Sequence, residues 1–135
     1  MIKAGFITDT VAINVTREHV RKYAEAIGEE NPIFHSLEAA RNAGYANLVL
    51  PATYPTLFWQ KIEIPWLKNQ SPLIQTEQVF EYLEALVANQ TYMCQITVLN
   101  VRQKERKLFS KNELRINRDG RTVATSNTTL MLVLE

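Results

Sequence analysis

The residue types able to move protons gather in one loop. In the stretch from Tyr23 to Phe58 (YAEAIGEENPIFHSLEAARNAGYANLVLPATYPTLF), Gly28 is followed by Glu29, Glu30, Asn31 and His35. A carboxylate and an imidazole held on either side of a water are a general acid and base. Further on, Pro51-Ala52-Thr53 precedes an apolar run. The free N–H groups of such a helix start can stabilise an oxygen that gains negative charge. Each residue also has a purely structural reading. Glu29 can be a solvated carboxylate past a helix end, and His35 can fasten the loop beside Ser36. Asn31 can close a turn ahead of Pro32, and Pro51-Ala52-Thr53 can simply start a helix.

The elements that must hold these residues are legible from periodicity. Residues 7–15 carry β-branched residues in partial alternation and predict a strand. Val20, Tyr23, Ala24 and Ile27 form one apolar stripe at helical spacing. Thr16 can cap that helix, Glu18 suits its positive end, and Gly28 can end it in a left-handed turn. His19 sits off the stripe and is expected at the surface. Ser36 is placed to cap a short helix over 37–42, ended near Gly44. Pro51 and Pro55 then open a third helix, in which Tyr54, Leu57, Phe58 and Ile62 repeat at helical spacing and Trp59 adds bulk. Its apolar character predicts a buried helix. Residues 63–73, with Pro65 and Pro72, read as a loop. Strands are expected over 77–84, 91–103, 107–117 and 121–134, with Tyr92, Cys94, Ile96 and Val98 on one face and Asp119-Gly120 as a hairpin turn. Helices first and antiparallel strands after make an α+β layout, a sheet packed on one buried helix.

A chain of 135 residues, 46% hydrophobic and 21% charged, suits one domain over 1–135 with a real core. A net charge of +1 gives no support for nucleic acid or an anionic membrane as partner. The basic group Arg102, Lys104, Arg106 and Lys107 is interrupted by Glu105 and reads as a solvated hairpin end, with a phosphate-bearing ligand as the other reading. The single cysteine, Cys94, excludes an internal disulfide and reads as a buried thiol. Residues 1–10 lack the apolar stretch of a signal peptide, and no apolar run approaches the roughly 18 residues that span a bilayer. A cytoplasmic protein is expected.

The order helix, Gly turn, Asn-Pro loop with a histidine, short helix, Gly-Tyr turn and Pro-initiated helix resembles the MaoC-like hydratase/dehydratase family, a branch of the hot-dog fold. The tail, from VFEYLEAL to RDGRTVATSNTTLML, is similar to that family's N-terminal half-domain type. The resemblance implies a single hot-dog domain, an antiparallel sheet wrapped around a central α-helix. It implies reversible addition of water across a trans-2-enoyl thioester to give an (R)-3-hydroxyacyl thioester, as in fatty-acid-type metabolism. The carrier would be coenzyme A or acyl carrier protein, with no other cofactor and no metal. The family's loop reads Asp-x-Asn-Pro-x-His. Here Glu29 stands in the Asp frame, Phe34 in the His frame, and His35 follows one residue late. The resemblance thus makes Glu29 and His35 the catalytic pair. Asn31 supports the loop, the Ala52 N–H is the oxyanion donor within Pro51-Ala52-Thr53, and Phe58 belongs to the acyl-lining group.

Two functions follow from the resemblance. The chain is an (R)-specific enoyl-thioester hydratase or 3-hydroxyacyl-thioester dehydratase, at least a dimer, using Glu29 and His35. Alternatively it is a non-catalytic acyl-binding subunit that pairs with a separate catalytic hot-dog subunit through a continuous sheet. A third possibility is a ligand-binding hot-dog without hydration chemistry, its pocket blocked by Trp59 or Trp66. The exposed strand edge expected of the isolated domain argues against a monomer.

Overall fold

The computed structural model describes residues 2–68 and 73–134. Five strands, β1 (Val11–Asn14), β2 (Leu73–Tyr82), β3 (Thr91–Lys104), β4 (Lys107–Arg118) and β5 (Arg121–Val133), form one sheet in the order β1-β3-β4-β5-β2. Every pairing is antiparallel. Two helices, α1 (Arg17–Ala26) and α2 (Leu37–Asn42), and a 3₁₀ segment, Tyr54–Lys61, lie between β1 and β2 in the chain. The main core joins Val20 of α1, Tyr54 and Phe58 of the 3₁₀ segment and Ile62 just after it to Tyr92, Cys94, Ile96, Leu114, Ile116 and Ala124 of the sheet. This is the expected α+β hot-dog arrangement.

Local rules account for most of the boundaries. The Thr16 hydroxyl accepts the His19 N–H, and α1 closes with the Glu29 N–H on the Ala24 carbonyl and the Gly28 N–H on the Glu25 carbonyl. That pair of bonds needs a left-handed residue, which Gly28 supplies at φ 73°. The Ser36 hydroxyl caps α2 through the Ala39 N–H. Tyr92, Cys94, Ile96 and Val98 all point into the core. Arg118 pairs with Arg121 across Asp119-Gly120, both at positive φ, the two-residue turn that matches strand twist. Arg102, Lys104, Arg106 and Lys107 sit, exposed, around the β3–β4 turn.

Three expectations need correction. The first strand is regular only over Val11–Asn14. The residues before it still follow β3, but the Thr8 hydroxyl, not a backbone carbonyl, accepts the Ile96 N–H. A side chain that takes a ladder position interrupts the strand pattern. The central helix is 3₁₀ rather than α. Its first turn closes with the Thr56 N–H on the Thr53 carbonyl, which also accepts the Thr56 hydroxyl. Pro55 brings no N–H to an α-type bond, so the tighter closure wins. Lastly, the expected loop over 63–73 contains a 3₁₀ turn, Pro65–Leu67, and β2 already begins at Leu73 and ends at Tyr82. Pro72, part of that loop expectation, lies outside the described residues.

The inner face of the sheet is not apolar throughout. Ser110, Asn112, Ser126 and Thr128 are buried on it, and Gln78, Thr128 and Asn112 follow one another across β2, β5 and β4. Burial of such groups is tolerable only when they are hydrogen-bonded. Asn112 donates to the carbonyl and hydroxyl of Ser110 and accepts from the Trp66 indole at 3.1 Å. Ser126 accepts from the Trp59 indole and from the Gln78 amide, and the Thr128 hydroxyl donates to the Gln78 carbonyl oxygen. Beyond this polar seam, Ile2, Val98, Leu108 and Leu132 form a second, smaller apolar cluster.

Candidate functional site

The loop after α1 begins where its closing turn leaves it. The Glu29 N–H is consumed in that turn, so Glu29 sits at a fixed point beside Gly28. Its carboxylate folds back to accept the Asn31 N–H at 3.2 Å. Asn31 in turn accepts the Ile33 N–H with its side-chain oxygen, the Asx turn ahead of Pro32. The His35 Nε2 lies 2.7 Å from the Glu29 carbonyl. A carbonyl can only accept, so that ring nitrogen carries the proton and donates. The His35 carbonyl accepts from the Arg21 guanidinium at 2.8 Å. The loop is thus fastened to itself and to α1 through the two groups expected to be acid and base. Glu25, Gly28, Glu29, Glu30 and His35 line a hollow of about 410 Å³ with three carboxyl side chains around it.

The second part of the expected site lies at Pro51-Ala52-Thr53. Leu48 to Leu50 pair with Leu86 to Ala88 through the Leu50 and Ala88 N–H groups and carry the chain to Pro51. Tyr54 closes back onto the Pro51 carbonyl. Ala52 and Thr53 are exposed, and among the described residues neither backbone N–H has a hydrogen-bond partner. Two tyrosines hold this turn. The Tyr82 hydroxyl donates to the Ala52 carbonyl, and the Tyr23 hydroxyl shares a proton with the Thr53 hydroxyl at 2.7 Å. Desolvation of its phenol oxygen pushes the Tyr82 hydroxyl well above its ordinary range, with the nearby Tyr23 adding to the shift, so it stays a donor. Burial also raises Tyr54.

The predicted residues therefore fall into two places. Glu29, Asn31 and His35 share the loop and its hollow. Pro51, Ala52 and Thr53 share the tyrosine-held turn, which borders a different groove through Tyr23 and Tyr54. Phe58 is wholly buried against Tyr54, ring centroids 5.9 Å apart, and is a core residue in this conformation. Tyr23 and Tyr82 were not singled out from the sequence as site residues. A hydroxyl on an apolar helical stripe was the available signal for Tyr23, because such a group needs a polar partner. Nothing local marks Tyr82, whose partner is thirty residues away in the chain.

Comparison with known proteins agrees with the fold. The family model of the FAS1-like dehydratase domain region matches residues 3–126. The chain belongs to the MaoC-like hot-dog dehydratases. A UPF0336 protein of Leifsonia xyli subsp. xyli is 30% identical over 125 residues, 87% of this chain and 84% of that protein. A UPF0336 protein of Parafrankia sp. is 51% identical over 47 residues, which span only 31% of its length. Among solved structures, a chain of the HadBC (3R-hydroxyacyl-ACP dehydratase) complex of Mycobacterium tuberculosis superposes with a TM-score of 0.86 at 25% identity. The match covers 95% of this chain and 96% of that one. The ChsH1–ChsH2 complex of the same organism shares the fold, with a TM-score of 0.73 at 17% identity over 95% of this chain and 89% of that one. Among the described residues no helix is long and apolar enough to cross a membrane.

Proposed function

We propose that this chain is the acyl-thioester-binding subunit of a two-subunit (R)-enoyl-thioester hydratase/dehydratase, paired with a hot-dog subunit that supplies the acid and base. The observation that carries this reading is the commitment of His35 and Glu29 to their own loop. A general base needs a free lone pair aimed at water, and a general acid needs a proton to release. His35 spends its Nε2 proton on the Glu29 carbonyl, which leaves it only the Nδ1 lone pair and no proton to release, and one oxygen of the Glu29 carboxylate is turned onto the Asn31 N–H. Phe34, in the frame of the family's histidine, has no proton to move.

The sheet edge supports the pairing. β2 is an outer strand, and Leu73, Ile74, Val79, Tyr82 and the following Leu83 are exposed apolar residues along it. An edge of this kind is a template for strand addition. The solved relatives named above are two-protein complexes by their own descriptions, which is consistent with a hot-dog partner here. The substrate carrier is coenzyme A or acyl carrier protein.

The unpartnered Ala52 and Thr53 N–H groups favour a second reading, an enzyme complete in itself that keeps its oxyanion site. Hydration of crotonyl-coenzyme A and longer trans-2-enoyl-coenzyme A separates the two. The chain alone is expected to be inactive, and activity is expected with a hot-dog partner that retains Asp-x-Asn-Pro-x-His. Activity of the chain alone, abolished in both Glu29→Ala and His35→Ala, would establish the independent enzyme and overturn the subunit reading.

A further inference from the structure

The segment Tyr54–Lys61 has two sides, and only one is open. On the side facing the sheet, Phe58 is sealed in the core, and the Trp59 and Trp66 indoles are fastened to Ser126 and Asn112. A hydrocarbon chain entering there would displace both indole donors and lie over buried amides and hydroxyls left without partners, which is strongly unfavourable. On the opposite side, α1 and the segment leave a groove of about 520 Å³. Its size falls within the range of small-molecule sites.

The lining of this groove is sorted by chemistry. Tyr23, Tyr54 and Leu57 give it an apolar floor, and His19, Lys22 and Lys61 stand on its rim. Glu18 pairs with Lys22 at 3.1 Å and offsets part of that charge. Lys61 has no ion-pair partner among the described residues. One end of the floor is tied, through the Tyr23–Thr53 bond, to the turn with the two unpartnered N–H groups. The hollow beside His35 carries three carboxyl side chains and would repel the same anion.

The geometry points to this groove, and not the space between segment and sheet, as the seat of the phosphopantetheine arm of the acyl thioester. The phosphate lies at Lys61 and Lys22, the arm and acyl methylenes cover Tyr54 and Leu57, and the thioester oxygen faces the Ala52–Thr53 N–H groups. This assignment rests on the acyl-thioester reading above and deepens it by naming the subsite.

Calorimetric titration of the purified chain tests it, with hexanoyl-coenzyme A, phosphate-free hexanoyl-pantetheine and hexanoyl-acyl carrier protein as probes. Lys22→Glu/Lys61→Glu is expected to weaken hexanoyl-coenzyme A at least tenfold and leave hexanoyl-pantetheine unchanged. Trp59→Phe, which keeps the plug and removes only its N–H, is expected to leave all three unchanged. A tenfold loss confined to the carrier-protein probe also supports the groove and assigns the protein-borne arm as its ligand. Equal affinity of wild type and the charge-reversed variant for both phosphate-bearing probes overturns the groove and leaves acyl binding standing. Absence of binding by the wild type to all three overturns both.

Discussion

His35 and Glu29 define what the loop can do at the level of single groups. A hydrogen bond of this kind contributes about 1 kcal/mol, so His35→Ala should lower the melting temperature by a few degrees. Thermal denaturation followed by circular dichroism reads it. In the complex with a catalytic partner, the same variant should keep hydration within severalfold of wild type, whereas loss of about 100-fold or more would return the residue to the chemistry. Asn31 was legible in the sequence because its turn is a property of Asn-Pro itself. The direction of the His35 ring was not, since it depends on where the helix closure puts the Glu29 carbonyl. Cys94 was legible too, from alternation. Its thiol is fully buried, and desolvation pushes it up to about 12. The folded chain keeps that proton at pH values where the unfolded chain, near 9, has lost it. Stability attributable to Cys94 is therefore intact below about pH 9 and declines as pH rises toward 12. Denaturant melts from pH 8 to 10.5 should fall less steeply in Cys94→Ala than in wild type, whatever the offset caused by the smaller side chain.

At the scale of elements, the polar seam makes Trp66 a matched partner rather than a filler. Trp66→Phe leaves the Asn112 side-chain oxygen buried without a donor, which costs about 1–3 kcal/mol. The double variant Trp66→Phe/Asn112→Leu should recover part of that loss, and a double-mutant cycle of unfolding free energies measures the coupling. Zero coupling would mean the indole acts by bulk alone. Periodicity located both helices, the strand runs and the Asp119-Gly120 turn, because those follow from local patterns. It could not show that Tyr54–Lys61 winds as 3₁₀, since a proline in the first turn is equally compatible with an α-helical start. Nor could it pair either tryptophan with its strand, or Tyr82 with Ala52, because those contacts depend on the register of the finished sheet.

For the whole molecule, the exposed β2 edge predicts association. Ile74 and Val79 are each more than 40% exposed on that strand, and lysine is the residue by which edges are kept unpaired. Sedimentation velocity at micromolar concentration should show a species larger than the monomer for wild type. Ile74→Lys/Val79→Lys should shift it toward monomer without loss of secondary structure. An unchanged sedimentation coefficient would place the contact elsewhere.

The division of the sheet's inner face has a consequence for how the molecule breathes. β3, β4 and β5 run past both apolar clusters, yet only the larger one is shared with α1, α2 and the 3₁₀ segment. The four-residue cluster at Val98, Leu108 and Leu132, with Ile2, is anchored mainly by Trp66, Leu67, Val101 and Leu134. Opening that end exposes little apolar area, so it requires less free energy than global unfolding. Amide hydrogens near the β3–β4 turn, from Gln103 to Leu108, should exchange with solvent well before those of Tyr92 to Ile96. The gap between them, read by mass spectrometry, measures how far the hairpin tip opens while the α1 end of the sheet stays closed.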